Sequence, residues 1–439
     1  MTPLIFHGTI AEMKTLIRNA TILPMTGPED MLHGSIMIED HQIVAIGRES
    51  TNFKADRIID AKGMIAMPGL VNAHTHLGMV YFRNYRDSSL NLQDWLEEIW
   101  KLEAHLVEQD LYIASLLGIG EMIQSGTTTF ADMYFFQAET VKAALDAKIK
   151  ANIGLTLFGD LKESKHRVAT ILPELQQMSG GSAIKIDIAP HAIYTCSDDT
   201  LRYAVEIAKQ ENSRFHIHAS ETIKEVEDSL ATHKMSPIAY LASLGAFSVP
   251  NYLAHGVHLA AEDYPILQNK HISVVHNPSS NCKLASGIAP IKKMADYKIQ
   301  LALGTDGASS NNTLDMFQEM RLSAMLAAIS TEKTILFSPY DILQMATIGG
   351  ATALGRAAEC GTLEVGKDAD IILINTDKAH LTPLNNIYSA LVFAAKSSDV
   401  DTVLCRGELL MQNRVLQTID IAQVMKKTQT IWEQMKNRN

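Results

Sequence analysis

Eight short apolar runs, separated by longer segments of helical period, constrain this chain more than any other feature. In order they are IAMPGLVNAH, TTTFADM, ANIGLTLF, IKIDIAPH, RFHIHAS, NYLAHG, ISVVHNP and QLALGTD. Such runs read as buried strands, whereas SDDTLRYAVEIAKQEN, with Ser197 or Asp198 placed to cap, and TLDMFQEMRLSAMLAAIS read as helices. Eight strand-helix alternations over about 290 residues predict a (β/α)8 barrel, a TIM-like α/β fold whose chemistry sits where the strands end.

Those ends carry unusual residues. They finish at His74 and His76, Asp132, no obvious group, His191, His218, His255, His276 and Asp306, although the strand bodies are nearly free of charge. Closing the barrel brings all eight ends to one face, so residues distant in sequence become neighbours.

The flanks have another texture. TLIRNATIL, GSIMIEDHQIVAIG with a hairpin turn at Asp40-His41, and ADRIIDAKGMIAM precede the barrel; GTLEVGKDADIILIN, DVDTVLCRGELL and NRVLQT follow it. The expected organisation is a small β-sandwich domain built from residues 13–66 and 360–418, a barrel over 67–359 and a C-terminal helix over 419–439. Residues 1–12 are set aside as an extended start before the first strand-like run.

With 38 basic against 49 acidic residues and a formal charge of −11, no basic run is available to neutralise a phosphate backbone, so a nucleic acid polymer is not expected as a partner. No apolar stretch reaches the roughly 18 residues of a membrane helix, and the four scattered cysteines suit free thiols. The chain reads as cytoplasmic, without a membrane partner.

Side chains two apart on an extended strand point the same way, so His74 and His76 can grip one atom. Neutral imidazole is the commonest ligand of zinc and similar ions, and His218 and Asp306 are candidates to complete the set. Glu221, three residues beyond His218, can stand beside the ion without binding it and shuttle protons between water and substrate. The bland alternative is that Glu221 caps the helix TIKEVEDSLATHK. A bound divalent ion would lower the pKa of a water from about 15.7 towards about 7.

Taken together, PGLVNAHTH, HIHASE, AHGVH, HNPSSNCKLASGIAP and GTDGASSNNTLDMFQEMR resemble the amidohydrolase superfamily, in particular its 5'-methylthioadenosine/S-adenosylhomocysteine deaminases and the neighbouring triazine hydrolases and chlorohydrolases. The resemblance spans Met13 to about Thr418. It implies one divalent metal ion per subunit, zinc by preference, held by His74, His76, His218 and Asp306, with His255 polarising the attacking water alongside Asp306. Two-metal members bridge their ions by a carboxylated lysine; Lys185 is expected to face away from the strand-end site.

The same resemblance implies a substrate pocket. Trp95 would lie against the 5'-substituent or sugar and Glu103 on the ribose hydroxyls, His191 would contact sugar and base, Ser310 would stand near the ribose end, and Arg167 would reach the substrate's tail. Trp95 reads equally as a helix core residue, given Trp100 near helical spacing. Asn84 stands where many relatives carry glycine. His276 reads equally as a structural hydrogen-bonding histidine or as a participant, His258 as a loop or helix-cap residue, and Asp132 as a bridge between strand ends.

The implied reaction is hydrolytic deamination of a 5'-substituted adenosine to the inosine analogue and ammonia, with Glu221, His255 and Asp306 handling protons. The alternatives are deamination or dechlorination of another N-heterocycle, such as a triazine or guanine, and a metal-binding scaffold without activity. The resemblance leaves room for a homo-oligomer without assigning a surface to it.

Overall fold

The computed structural model describes residues 13–438 except 86, 88–91, 180, 182 and 332–336. Five strands come first: β1 (Lys14–Ile22), β2 (Leu32–Glu39), β3 (Gln42–Gly47), β4 (Arg57–Asp60) and β5 (Met64–Pro68). Then follow β6 (Leu70–Thr75), β7 (Thr127–Tyr134), β8 (Lys150–Leu157), β9 (Ile184–Pro190), β10 (Phe215–Ala219), β11 (Asn251–His255), β12 (Ile272–His276) and β13 (Gln300–Leu303). The chain ends with β14 (Ile371–Asn375), β15 (Val400–Cys405), β16 (Glu408–Gln412), β17 (Val415–Leu416) and a helix over Ile421–Met435.

Strands β6 to β13 form one parallel sheet in strict chain order, with helices between them, so the expected barrel is present. Parallel strands covered on both faces are buried along their length, and every residue of β6, β7 and β8 is buried. The ring is drawn together at its C-terminal end, where Asp306 N–H donates to His74 O at 3.0 Å and Thr75 Oγ1 donates to Asp306 O at 3.1 Å. Closure therefore joins two of the expected metal ligands directly.

The remaining strands form a nine-stranded sheet, ordered β17-β16-β15-β14-β5-β1-β2-β3 with β4 beside β1. The two ends of the chain meet where β5 and β14 pair antiparallel. Ile17, Ile22, Ile36, Ile38, Ile371 and Leu373 share a core there, so the small β domain expected from both chain ends takes the form of one continuous sheet around its own apolar cluster.

One run departs from the expectation. IAMPGLVNAH is two strands, β5 in the mixed sheet and β6 in the barrel, broken at Gly69. Gly69 N–H donates to Asp370 O at 3.0 Å, and a Cβ at this position would come within 2.1 Å of Thr128 Oγ1, so a side chain has no room. Both halves are buried, which is why apolar patterning cannot reveal the change of sheet.

Two lysines tie the base of the barrel. Lys150, fully buried at the start of β8, pairs with Asp370 at 2.5 Å and Asp368 at 3.0 Å. Lys185, near the start of β9, reaches Glu359 at 2.5 Å and Gly355 O at 2.9 Å, and so faces away from the strand-end site as expected.

Several short devices hold the loops above the barrel. Ser197 caps the helix Asp198–Gln210 by accepting from Thr200 N–H. The C-terminal helix sets Trp432 edge-on to Phe82 and Tyr85, bracing the 3-10 turn Leu77–Phe82 that follows His76. Asn84, just beyond, has φ +62°, a left-handed conformation that asparagine tolerates better than most residues. Among the described residues no helix is long and apolar enough to cross a membrane.

Candidate metal centre and cavity

His74 and His76 leave the end of β6 on one side, as strand alternation requires, and meet His218 at the end of β10 and Asp306 just after β13. One ligand atom from each of the four lies within 4.8 Å of the others. His76 Nε2 is 3.2 Å from His218 Nε2, and Asp306 Oδ1 is 3.3 Å from His74 Nε2 and 3.1 Å from His76 Nε2.

The outer ring nitrogens are engaged elsewhere. His76 Nδ1 donates to Met133 O at 2.5 Å, His218 Nδ1 donates to His191 O at 2.7 Å, and His74 Nδ1 meets His216 Nε2 at 3.0 Å. A carbonyl only accepts, so a neutral His76 or His218 keeps its proton on Nδ1 and turns an Nε2 lone pair inward. His74 Nε2 is buried with no hydrogen-bond partner among the described residues. Lone pairs this close, facing a carboxylate, require positive charge between them. A tetrahedral ion with bonds of about 2.0–2.1 Å spaces its ligands by roughly 3.3 Å, which matches these three separations, within a set that spans up to 4.8 Å. The residues fit a divalent metal ion.

The electrostatics agree. Burial lowers His74 to about 4, and burial holds His218 well below the usual range, so both rings are neutral at neutral pH. Burial also works against charge on His76, but the Asp306 carboxylate outweighs it and lifts the ring to about 9. Burial would raise Asp306, yet the His74 and His76 rings beside it keep it well below the carboxylate range. Asp306 and His255 both have positive φ, +61° and +80°. Non-glycine residues held there cost roughly 1–3 kcal/mol each, and such strain concentrates at functional sites.

Glu221 stands next to this cluster. Thr222, rather than Glu221, caps the helix Ile223–His233, accepting from Glu225 N–H. The Glu225 carboxylate in turn accepts from the N–H groups of Ser220 at 3.0 Å and Glu221 at 2.7 Å, which pins the backbone that carries Glu221. The spacing Thr222-x-x-Glu225 is the sequence signal that could have identified this brace. Glu221 itself is buried, burial raises its pKa, and its Oε2 is 3.7 Å from His255 Nε2.

A cavity of about 320 Å³ opens over the cluster, a size suited to a small organic molecule. His76, His218, Asp306, Glu221 and His255 line it together with Trp95, Glu103, His191 and Ser310. Trp95 is buried in the main core and also lines the cavity. Glu103 Oε1 accepts from Tyr134 OH at 2.5 Å, and burial raises the carboxyl's pKa. His191 Nδ1 lies 2.9 Å from Thr195 Oγ1. Ser310 Oγ donates to Asp306 Oδ2 at 3.0 Å.

Arg167 is not brought to this cavity. Its Nε donates to Thr156 O at 3.0 Å, its guanidinium lies 4.6 Å from the centre of the Phe158 ring, and it lines a neighbouring depression that shares Trp100, Glu103 and Phe135 with the cavity. Asp132 is structural, its Oδ1 accepting from Leu77 N–H at 2.7 Å. His258 Nε2 donates to Ser286 O at 2.6 Å. His276 is buried, and neither ring nitrogen has a partner among the described residues. Tyr134 and His216 were not singled out from the sequence; His216 lies two residues before His218 and shares its face of β10.

Comparison with known proteins gives the same reading. The amidohydrolase family model matches residues 65–410. A 5-methylthioadenosine/S-adenosylhomocysteine deaminase of Thermoanaerobacter pseudethanolicus is 44% identical over 422 residues, covering 94% of this chain and 97% of the relative. A 5'-deoxyadenosine deaminase of Methanobrevibacter smithii is 40% identical, covering 96% and 98%. Among solved structures, an adenosine deaminase from Xanthomonas campestris with bound zinc superposes with a TM-score of 0.93 at 30% identity, covering 97% of this chain and 99% of that one. With its eight-stranded barrel, its strand-end cluster and a family match over most of its length, the chain belongs to the amidohydrolase family.

Proposed function

We propose that the protein is a zinc-dependent deaminase of 5'-substituted adenosines, methylthioadenosine and S-adenosylhomocysteine among them, releasing ammonia and the inosine analogue. One observation carries this reading. His76, His218 and Asp306 of the cluster that His74 completes, the neighbouring Glu221 and His255, and Glu103 all line the same cavity, so a ring amine and a sugar diol can be addressed at once. The names of the relatives support the choice of substrate.

His74, His76, His218 and Asp306 would hold a divalent ion, which when bound would supply Lewis acidity and lower the pKa of a water at the site from about 15.7 towards about 7. The chain's own groups do the rest. Burial raises Glu221, which fits it to carry a proton to N1 of the purine and so draw electrons from C6 as water adds there. His255 keeps Nδ1 towards Asn281 Oδ1 at 2.9 Å, leaving Nε2 to orient and deprotonate the water alongside Asp306. The proton taken from the water passes to the departing amine, which leaves as ammonia, and the proton remaining on the C6 hydroxyl returns to Glu221 as the C6 carbonyl forms. Glu103 binds the ribose hydroxyls, Trp95 packs on the 5'-substituent, and His191 contacts sugar and base.

The test is ammonia release by metal-quantified protein from adenosine, 5'-deoxyadenosine, methylthioadenosine, S-adenosylhomocysteine, guanine and melamine. Adenosine derivatives with small 5'-groups should turn over best. No activity on any adenosine derivative refutes the reading.

A further inference from the structure

The segment after β12 touches each of the three groups to which proton handling is attributed. Ser280 Oγ donates to Asp306 Oδ2 at 2.6 Å, the oxygen that also accepts from Ser310, while Asp306 Oδ1 faces His74 and His76. Asn281 Oδ1 accepts from His255 Nδ1 at 2.9 Å. Ser286 Oγ donates to Glu221 Oε1 at 3.1 Å, leaving Oε2 towards His255. All three come from seven consecutive residues, 280–286, and all three are buried.

We propose that Ser280, Asn281 and Ser286 are positioning residues that present Asp306, His255 and Glu221 to the reacting atoms. Two hydroxyl donors on Oδ2 leave Asp306 only Oδ1 to turn towards the metal ligands, which makes it a one-oxygen ligand of set direction. An amide oxygen accepts and cannot donate, so Asn281 keeps the His255 proton on Nδ1 and the lone pair on Nε2, which faces Glu221. This matters more because His255 sits at φ +80°, where its backbone alone does not favour the observed pose. Ser286 restrains one oxygen of Glu221 and leaves the other available for proton transfer.

The segment is itself anchored. Ser286 N–H donates to Asn281 O at 2.8 Å, Ser279 N–H donates to the buried Glu319 Oε2 at 3.1 Å, and His258 donates to Ser286 O. One short helix, Pro278–Lys283, and the turn that follows it therefore set three side chains that come from three different strand ends. The mechanistic part of this assignment rests on the deaminase reading; the orientation of Asp306 can be tested without it.

The experiment uses cobalt-loaded full-length protein. Ser280→Ala/Ser310→Ala should shift the cobalt d–d bands and speed cobalt loss to a chelator by about 10- to 100-fold, as outer partners of metal ligands do. Asn281→Leu and Ser286→Ala should leave the bands and the cobalt loss unchanged while kcat falls about 10- to 100-fold and KM stays within about threefold. Asn281→Asp and Ser286→Thr, which keep the acceptor and the donor, should recover most of the lost kcat. Unchanged cobalt loss in the double variant overturns the Ser280 assignment. A kcat within about threefold of the parent for Asn281→Leu or Ser286→Ala overturns theirs, as does loss of the cobalt bands in those two variants. If the parent deaminates no nucleoside, the functional reading fails, and the cobalt measurements still decide the role of Ser280.

Discussion

Replacing Glu103 with Gln separates a nucleoside deaminase from an enzyme of free heterocycles. Tyr134 OH already occupies Oε1, so Oε2 is the atom left to receive a ribose hydroxyl. Glutamine keeps an acceptor for Tyr134 but places an NH2 donor, or a neutral oxygen, where the carboxylate stood. A hydrogen bond to a charged group contributes about 1.5–3 kcal/mol, so losing one lowers kcat/KM for a riboside by roughly 10- to 150-fold. Adenine or guanine offers no diol to this position and should lose less than about threefold. The assay is initial-rate ammonia release from methylthioadenosine, its 2'-deoxy and 3'-deoxy analogues, and the free bases. The two deoxy analogues should each be less sensitive to the substitution than the parent riboside. An equal loss on ribosides and free bases refutes the argument, because Glu103 would then act through the cavity's shape alone.

Three further outcomes follow from the same geometry. Glu221→Gln should lower kcat by about 100- to 10,000-fold with metal content unchanged, as measured by turnover and metal analysis, and loss of the metal would count against a proton-transfer role. Lys150→Met leaves Asp368 and Asp370 buried without their cation, and should destabilise the fold by about 3–5 kcal/mol in urea unfolding; a loss below about 1 kcal/mol would show that the pair is dispensable. Glu319 is fully buried and burial raises it to about 7, above its unfolded value, so the folded state holds its proton more tightly. Its contribution is intact below about pH 4.5 and is lost as pH rises through about 7, a fall of roughly 3 kcal/mol. Glu319→Gln should flatten that fall in melting temperature between about pH 5 and 8, and parallel curves for the two proteins would refute the assignment.

The site was legible in the sequence wherever a local period carried the information. His74 and His76 point together because strands repeat every two residues, and His218 and Asp306 could be grouped with them because a barrel gathers its strand ends. Glu221 was readable from its distance to His218. The role of Ser310 was not: its hydroxyl is 3.0 Å from Asp306 Oδ2, a contact set by the turn after β13. The surroundings of Arg167 were not legible either: its helix sets the guanidinium on Phe158 and Thr156, in a depression that adjoins the cavity.

By itself the sequence determined the alternation of strands and helices, the face on which each polar strand end lies, and the inventory of groups able to bind a metal and move protons. These follow from backbone periodicity and side-chain chemistry, which are local. Only the tertiary structure decided that one apolar run changes sheets at Gly69, that Tyr134 takes one oxygen of Glu103, and that a single segment after β12 reaches Asp306, His255 and Glu221. Those are contacts between segments distant in the chain, Gly69 with Asp370 and Glu221 with Ser286 among them. Their geometry exists only once closure of the barrel has brought the strand ends within hydrogen-bonding distance.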